Sequence, residues 1–151
     1  MKQRLMVLFV AIFLLTGCIQ AVAQDGFLTP GVVYQPEQVM NWLVQNGKYP
    51  DLVRRLQNRV PERLFVSDGC SGPCPQEWKE KSLLMACGPH DIGYWLAGSQ
   101  LDKLHDDARL MLDVADITGD VSWAVIMFNS VHAWGNTPGM PWSWGRVGVM
   151  P

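Results

Sequence analysis

A histidine and two acidic residues in the middle of the chain have the types and spacing needed for catalysis. His90 is followed directly by Asp91, Tyr94 comes four residues after the histidine, and Asp107 comes one predicted helix later. Neighbouring residues on a helix diverge by roughly 100°, so His90 and Asp91 face different directions. One can address a water molecule while the other addresses a metal ion beside it. This arrangement suits hydrolysis by a general base with the help of a hard cation.

The helix that carries Asp107 is predicted over residues 101–114, and its apolar residues form one broad arc. That arc consists of Leu104, Ala108, Leu110, Met111, Val114 and Ala115. Asp107 lies inside the arc, where a carboxylate is costly to bury unless it is paired or hydrogen-bonded. A Gly-Ser turn runs this helix back antiparallel to the preceding one, so His90 and Tyr94 are the predicted partners of Asp107.

The other acids of this helix are predicted to face solvent. They are Asp102, Asp106 and Asp113. His105 is a competing candidate for the base, but its place among these exposed groups, at the edge of the apolar arc, predicts a solvated side chain.

The loop upstream of the histidine is predicted to be irregular. Residues 66–76 contain two glycines and two prolines around Asp68, so they cannot form a helix interior. Glycines in such a turn let main-chain carbonyls point inward, and calcium takes oxygen ligands that commonly include main-chain carbonyls. The loop therefore fits either a calcium site or an ordinary turn held by a cysteine.

Two segments and one acid of this chain resemble the catalytic helix and calcium loop of secreted phospholipase A2. They are Cys87-Gly88-Pro89-His90-Asp91-Ile92-Gly93-Tyr94, Ser67-Asp68-Gly69-Cys70-Ser71-Gly72 and the inward-facing Asp107. The resemblance covers about residues 64–114. It implies a mainly α fold in which two antiparallel, disulfide-linked helices carry the His-Asp site beside a calcium-type loop.

The resemblance also implies a role for each residue of the site. His90 is the general base, Asp107 orients its imidazole and Tyr94 steadies Asp107. Asp91 and main-chain carbonyls of the loop hold Ca²⁺. The implied loop ligands are Gly69, Ser71 and Pro73.

The implied reaction is calcium-dependent hydrolysis of the sn-2 ester of glycerophospholipids at a phospholipid membrane surface, which yields a fatty acid and a lysophospholipid. No G-x-S-x-G nucleophile elbow occurs in the sequence, in keeping with water as the nucleophile. The alternative is a protein that kept the fold and lost turnover, and so binds calcium or lipid without cleaving it.

The cysteine count predicts one disulfide and one free thiol after the N-terminal segment. Cys70, Cys74 and Cys87 are the cysteines concerned, and an oxidising compartment favours a bridge between two that come close. The resemblance implies that Cys70 pairs with Cys87, while pairing of Cys74 with Cys87 stays open. The three cysteines and His90 also form a Cys3His zinc pattern, so a zinc-stabilised exported structural protein is a further alternative.

Three departures from the family pattern bear on activity more than on fold. Only Cys87 stands where most relatives have two adjacent cysteines, and Gly93 replaces the cysteine before the tyrosine. Gly88 and Pro89 are predicted to interrupt the helix beside His90. With fewer disulfides, more of the stability must come from packing.

The N-terminus predicts export. Two basic residues precede an apolar run over residues 5–15, which is too short for a membrane span and typical of a signal peptide. The signal peptide is assigned to residues 1–23, with A-x-A cleavage after Ala23 or lipobox cleavage before Cys18, which would then be lipidated. The protein is accordingly expected in the periplasm, on the outer membrane as a lipoprotein, or outside a bacterial cell.

The remaining chain, residues 24–151, has the size of one domain with one core. The 12 Lys and Arg residues against 14 Asp and Glu become 10 against 14 once residues 1–23 are removed, a net charge of −4. This negative balance does not favour nucleic acid as a partner.

Two short amphipathic helices are predicted before the loop. One begins at Pro36 and ends at Gly47, and the other follows Pro50 and ends before Pro61. Three basic residues on the polar side of the second helix are predicted to be solvated, with contact to anionic lipid headgroups as the alternative. They are Arg54, Arg55 and Arg59.

The tail over residues 123–144 is rich in tryptophan and is predicted to begin as a helix that glycines and prolines then interrupt. Packing is the favoured role of these tryptophans, and a lipid interface is the alternative.

Overall fold

The computed structural model describes residues 28–71 and 74–151 and shows a mainly helical fold with one disulfide, as predicted. Both predicted signal-cleavage positions and Pro73 lie outside the described residues. The elements in chain order are β1 (Val33–Tyr34), α1 (Pro36–Asn46), α2 (Pro50–Asn58), β2 (Phe65–Val66), β3 (Glu77–Trp78), β4 (Lys81–Ser82), α3 (Leu84–Leu96), α4 (Gln100–Thr118) and α5 (Val121–Trp134). In the described part of the chain, no helix combines the length and apolarity needed to cross a bilayer.

The helices α1 and α2 begin where the sequence predicts. Pro36 occupies the first turn of α1, and Gly47 ends that helix in the left-handed conformation (φ 67°), with its amide donating to the carbonyl of Leu43. Pro50 likewise begins α2. The apolar faces of both helices belong to one buried cluster with residues of β2 and α3, so α1 and α2 cover one side of α3.

The helix α3 runs without a break through Gly88 and Pro89, contrary to the prediction. Pro89 has no amide to donate to the carbonyl of Met85, four residues earlier. The hydroxyl of Tyr49, which precedes α2, lies 3.4 Å from that carbonyl oxygen and 3.2 Å from Oδ2 of Asp113, so its one proton is shared between the two acceptors. All of residues 86–96 are buried, so tertiary packing outweighs the local cost of the proline.

A two-stranded hairpin, which was not predicted from the sequence, leads into α3. Strands β3 and β4 pair antiparallel, and Lys79 and Glu80 form the turn with φ of 50° and 66°. Neither residue is among the glycine and asparagine types that usually signal such a turn. The indole of Trp78 stacks on that of Trp123 in α5 with ring centroids 4.1 Å apart, which fixes the hairpin against α5.

The helices α3 and α4 run antiparallel, because Gly93 lies against Asp106 while His90 lies against Asp107. The helix α4 is longer at both ends than the predicted segment. The predicted fold had a disulfide linking these two helices, and the structure corrects this. The disulfide joins Cys70 of the loop to Cys87 of α3.

Two acids of α4 that were predicted to face solvent are buried, which corrects the helical-wheel assignment. Asp106 is 0% exposed and Asp113 is 3% exposed. Asp106 accepts hydrogen bonds from Arg55 of α2, and Asp113 accepts one from Tyr49. Leu104, which the arc placed in the core, is 42% exposed. The helix α2 and the residue before it, Tyr49, cover a second face of α4, and a helical wheel contains no information about such a neighbour.

Candidate active site

The helices α3 and α4 bring His90 and Asp107 into contact. Nε2 of His90 lies 3.1 Å from Oδ1 of Asp107, and the Tyr94 hydroxyl donates to the same oxygen at 2.7 Å. All three side chains are buried. When Nε2 carries the proton and donates it to Asp107, Nδ1 of the imidazole is left as an acceptor. The sequence predicts that these three residues meet, and the structure brings them together.

The second oxygen of Asp107 has two partners that the sequence analysis missed. Nζ of Lys103 donates to Oδ2 at 2.7 Å, and Nδ1 of His132 lies 3.3 Å from the same atom. Lys103 stands one turn before Asp107 on α4, a spacing at which oppositely charged side chains meet, so this signal was present in the sequence. His132 belongs to α5, and no local pattern reveals that contact.

Hydrogen bonding decides the charge state of Asp107. Burial by itself raises the pKa of this carboxyl, but hydrogen bonds from His90, Lys103 and Tyr94 outweigh burial and lower the pKa to about 2. Burial and the nearby charge of Asp107 raise the pKa of Tyr94. Near neutral pH, Asp107 is therefore a charged acceptor and Tyr94 a donor.

Asp91 turns away from Asp107, towards the loop. Its Oδ2 accepts a hydrogen bond from the Ser67 hydroxyl at 2.5 Å, and its Oδ1 lies 4.0 Å from Nδ1 of His90. Burial, reinforced by the charge of Asp68, raises the pKa of Asp91 well above its usual range. Within residues 28–71 and 74–151, no lysine or arginine pairs with Asp91. A buried carboxylate beside a second acid, without a cationic side chain, is a donor set that fits a divalent cation.

The loop residues Gly69 and Ser71 line the same cavity as His90 and Asp91. Gly69 is left-handed (φ 77°), and its amide donates to the hydroxyl oxygen of Ser67 at 3.0 Å, so one serine joins the loop backbone to Asp91. The ligand role implied for Pro73 stays a prediction, because that residue lies outside the described part of the chain.

The predicted disulfide between Cys70 and Cys87 is confirmed, and Cys74 is a buried free cysteine. The disulfide holds the loop against α3 three residues before His90. It also takes up two of the thiolates that the zinc pattern requires, so only Cys74 and His90 would be left as ligands of that pattern.

A cavity of about 420 Å³ opens beside His90 and Asp91. The loop forms one wall, and α5 with the tail forms the other. Most of the remaining lining is apolar and includes Leu110, Met127, Val131, Trp134, Met140 and Trp142. A mainly apolar cavity with a few polar groups at one place suits a ligand that has a hydrocarbon part and one reactive polar centre.

A second group of possible metal ligands lies on the opposite side of α4 and has another role. It consists of Asp51, His105 and Asp106. Arg109 pairs with both acids, and Arg55 donates to both oxygens of Asp106 at 2.9 Å. Two guanidinium groups make this cluster an ion-pair network that disfavours a cation. His105 is exposed, as predicted, but the Arg55 side chain is only 16% exposed, which corrects its predicted solvation.

The chain matches no protein-family model, no curated protein and no solved structure. The side chains at the cavity define the chemistry that this site can perform. They are an imidazole held through Nε2 by a charged carboxylate, and a second carboxylate held by the loop. Such a pair can take a proton from water beside a bound cation.

Proposed function

We propose that this protein is a calcium-dependent, phospholipase-A2-like hydrolase that cleaves the sn-2 ester of glycerophospholipids to a fatty acid and a lysophospholipid. The observation that carries the proposal is the shared oxygen of Asp107, which lies 3.1 Å from His90 and 2.7 Å from Tyr94, with Asp91 in the same cavity as the histidine. The antiparallel pair of helices beside a disulfide-held loop supports a phospholipase-A2-like fold.

In the proposed reaction, Nδ1 of His90 takes a proton from the water that attacks the ester carbonyl. Asp107 keeps the proton of the neutral imidazole on Nε2 and stabilises the imidazolium that forms. His90 then returns the proton to the departing glycerol oxygen. Tyr94 holds Oδ1 of Asp107 in place, so the carboxylate does not have to reorganise during the reaction.

Asp91 and the carbonyls of Gly69, Ser71 and Pro73 are the proposed holders of Ca²⁺. Calcium at this place supplies a Lewis acid for the ester carbonyl and positive charge for the phosphate. Ser67 fixes the Asp91 carboxylate at the loop, and the disulfide fixes the loop to α3.

The proposed partner is a phospholipid membrane surface. The apolar cavity suits an acyl chain, and Trp134 at its edge is 63% exposed, which is where an amphipathic indole contacts a lipid interface. Other tail tryptophans pack instead: the ring of Trp144 lies edge-on to Tyr94 with centroids 5.1 Å apart. The proposal therefore assigns the lipid contact to Trp134 and a packing role to Trp144.

The test is release of fatty acid from mixed phospholipid vesicles, first with calcium and then with a chelator. We expect calcium-dependent release by the wild type. His90→Gln should lower the rate by about 10²-fold to 10⁴-fold while its circular dichroism stays unchanged. His105→Gln is the matched control, since this exposed histidine lies outside the cavity, and it should keep wild-type activity.

Equal turnover by His90→Gln and wild type would remove His90 as the base. Calcium binding in a calorimeter without any fatty-acid release would instead favour the non-catalytic alternative. Zinc retained through purification, again without hydrolysis, would favour the structural alternative.

A further inference from the structure

Lys103 is a buried cation directly behind the His-Asp pair. Its side chain is 2% exposed, and its Nζ donates to Oδ2 of Asp107 at 2.7 Å. The same nitrogen lies 3.4 Å from the main-chain oxygen of Val131 and 5.3 Å from the ring centroid of Tyr94. Lysine is almost never fully buried without a partner, and here the charged partner is the carboxylate that faces His90.

The two oxygens of Asp107 have different partners. Oδ1 faces His90 and Tyr94, whereas Oδ2 faces Lys103 and, at 3.3 Å, Nδ1 of His132. The carboxylate thus lies between two imidazoles. The His132 side chain is 55% exposed, so it can change its position more freely than the buried Lys103 can.

We propose that Lys103 is a positioning residue, which holds Oδ2 so that Oδ1 stays on Nε2 of His90 and Nδ1 stays the acceptor. The expected effect of Lys103 on kcat rests on the proposed function, whereas its expected effect on the position of the His90 proton does not. The ammonium group also stabilises the negative charge of Asp107 in the buried interior, where the dielectric constant is low. A charged donor stabilises a carboxylate there more strongly than a neutral donor does.

Lys103 is well placed to hold the carboxylate from behind. It stands on the same helix as Asp107 and also contacts the carbonyl of Val131 in α5, so it ties the acid to both helices. It does not line the cavity. Loss of Lys103 should therefore affect the chemical step without affecting substrate binding.

The kinetic test compares Lys103→Met, Lys103→Arg and the control Lys79→Met, which removes a cation whose side chain is 69% exposed. We expect kcat of Lys103→Met to fall by about 10-fold to 100-fold with an unchanged KM. Lys103→Arg should recover part of the loss, since it keeps the charge, and Lys79→Met should match the wild type. An unchanged kcat in Lys103→Met, or a rise in KM alone, would overturn the proposal.

A second measurement does not depend on turnover. Nitrogen-15 NMR of histidine-labelled protein at about pH 8, where imidazole side chains are ordinarily neutral, reports which ring nitrogen of His90 carries the proton. We expect the Nε2–H form in the wild type and a mixture with the Nδ1–H form in Lys103→Met. Identical spectra of the His90 ring in both proteins would count against the positioning role.

The two proposals fail in distinguishable ways. A tautomer change in Lys103→Met, in a protein that hydrolyses no phospholipid, would support the positioning role and reject the proposed function.

If Lys103→Met does not fold, NMR of the Lys103 ammonium protons in the wild-type protein tests the positioning role. Slow exchange with solvent and a coupling to the carboxyl carbon of Asp107 would support the role, and fast exchange without that coupling would overturn it.

Discussion

Gly93 of α3 packs directly against the carboxylate of Asp106 on α4, at the position where the resemblance would have a cysteine. A side chain at position 93 would overlap Asp106, so only glycine lets the helices approach this closely. Arg55 completes the contact: it donates to both oxygens of Asp106 at 2.9 Å and to the carbonyls of Gly93 and Ala97. One buried ion pair thereby ties α2, α3 and α4 together next to the His-Asp site.

Gly93→Ala should destabilise the protein by about 1–3 kcal/mol, because the added methyl group must displace a carboxylate that two arginines hold. The matched control is Gly88→Ala on the same helix, where an added methyl group has open space and alanine is the better helix former. Urea denaturation of both variants measures the difference. An equal or higher stability of Gly93→Ala relative to Gly88→Ala would contradict the close contact.

Arg55→Met should lower the free energy of unfolding by about 3 kcal/mol, since it leaves Asp106 buried with one fewer cation. Arg109 still pairs with Asp106 and limits the loss. The exposed neighbour Arg54 offers the control, because Arg54→Met should change stability by no more than about 0.5 kcal/mol. Replacing both partners, Arg55→Met with Asp106→Leu, should recover part of the loss. If the double variant loses more free energy of unfolding than the two single variants added together, Arg55 and Asp106 do not stabilise the fold as an ion pair.

The Asp107 network should make stability depend on pH in an acidic window. The pKa of Asp107 is about 2 in the folded protein, below the ordinary 3.8, so between these values the unfolded chain binds more protons than the folded one. The stabilisation is therefore complete above about pH 4 and is lost as the pH falls towards 2. It amounts to about 2 kcal/mol.

Denaturation of wild type and Asp107→Asn from pH 6 to pH 2 measures this contribution. The difference between their free energies of unfolding should shrink by about 2 kcal/mol across that window, since the asparagine does not titrate. A difference that stays constant would mean that Asp107 has the same pKa in the folded and unfolded chain.

Trp134→Gln should weaken binding to phospholipid vesicles by about tenfold, because an indole that is 63% exposed at the cavity edge loses its burial in the lipid interface. Val44→Gln is the control: this valine is 61% exposed on α1, away from the cavity. Vesicle co-sedimentation measures affinity, and hydrolysis of a soluble short-chain phospholipid shows whether the site is intact. Equal losses in both variants would place the lipid contact elsewhere.

The local pattern of the sequence was enough to predict the His90, Asp107 and Tyr94 contact. Helical periodicity and one short turn bring these positions together, and the cost of a buried acid indicates that Asp107 needs a partner. The starts of α1 and α2 followed from their prolines in the same way. The disulfide followed from the resemblance and not from spacing, which had left two pairings open.

Only the tertiary structure decided three features: the burial of Asp106 and Asp113, the continuous helix through Pro89, and the contact of His132 with Asp107. Each depends on an element distant in sequence. The helix α2 supplies Arg55 to Asp106, and α5 brings His132 to the site. The hydroxyl of Tyr49 contacts the Met85 carbonyl, which has no amide partner because of Pro89. Periodicity describes one face of one helix. Whether a polar group on another face is buried depends on the free energy of packing a second helix there, and that term does not exist until the chain has folded.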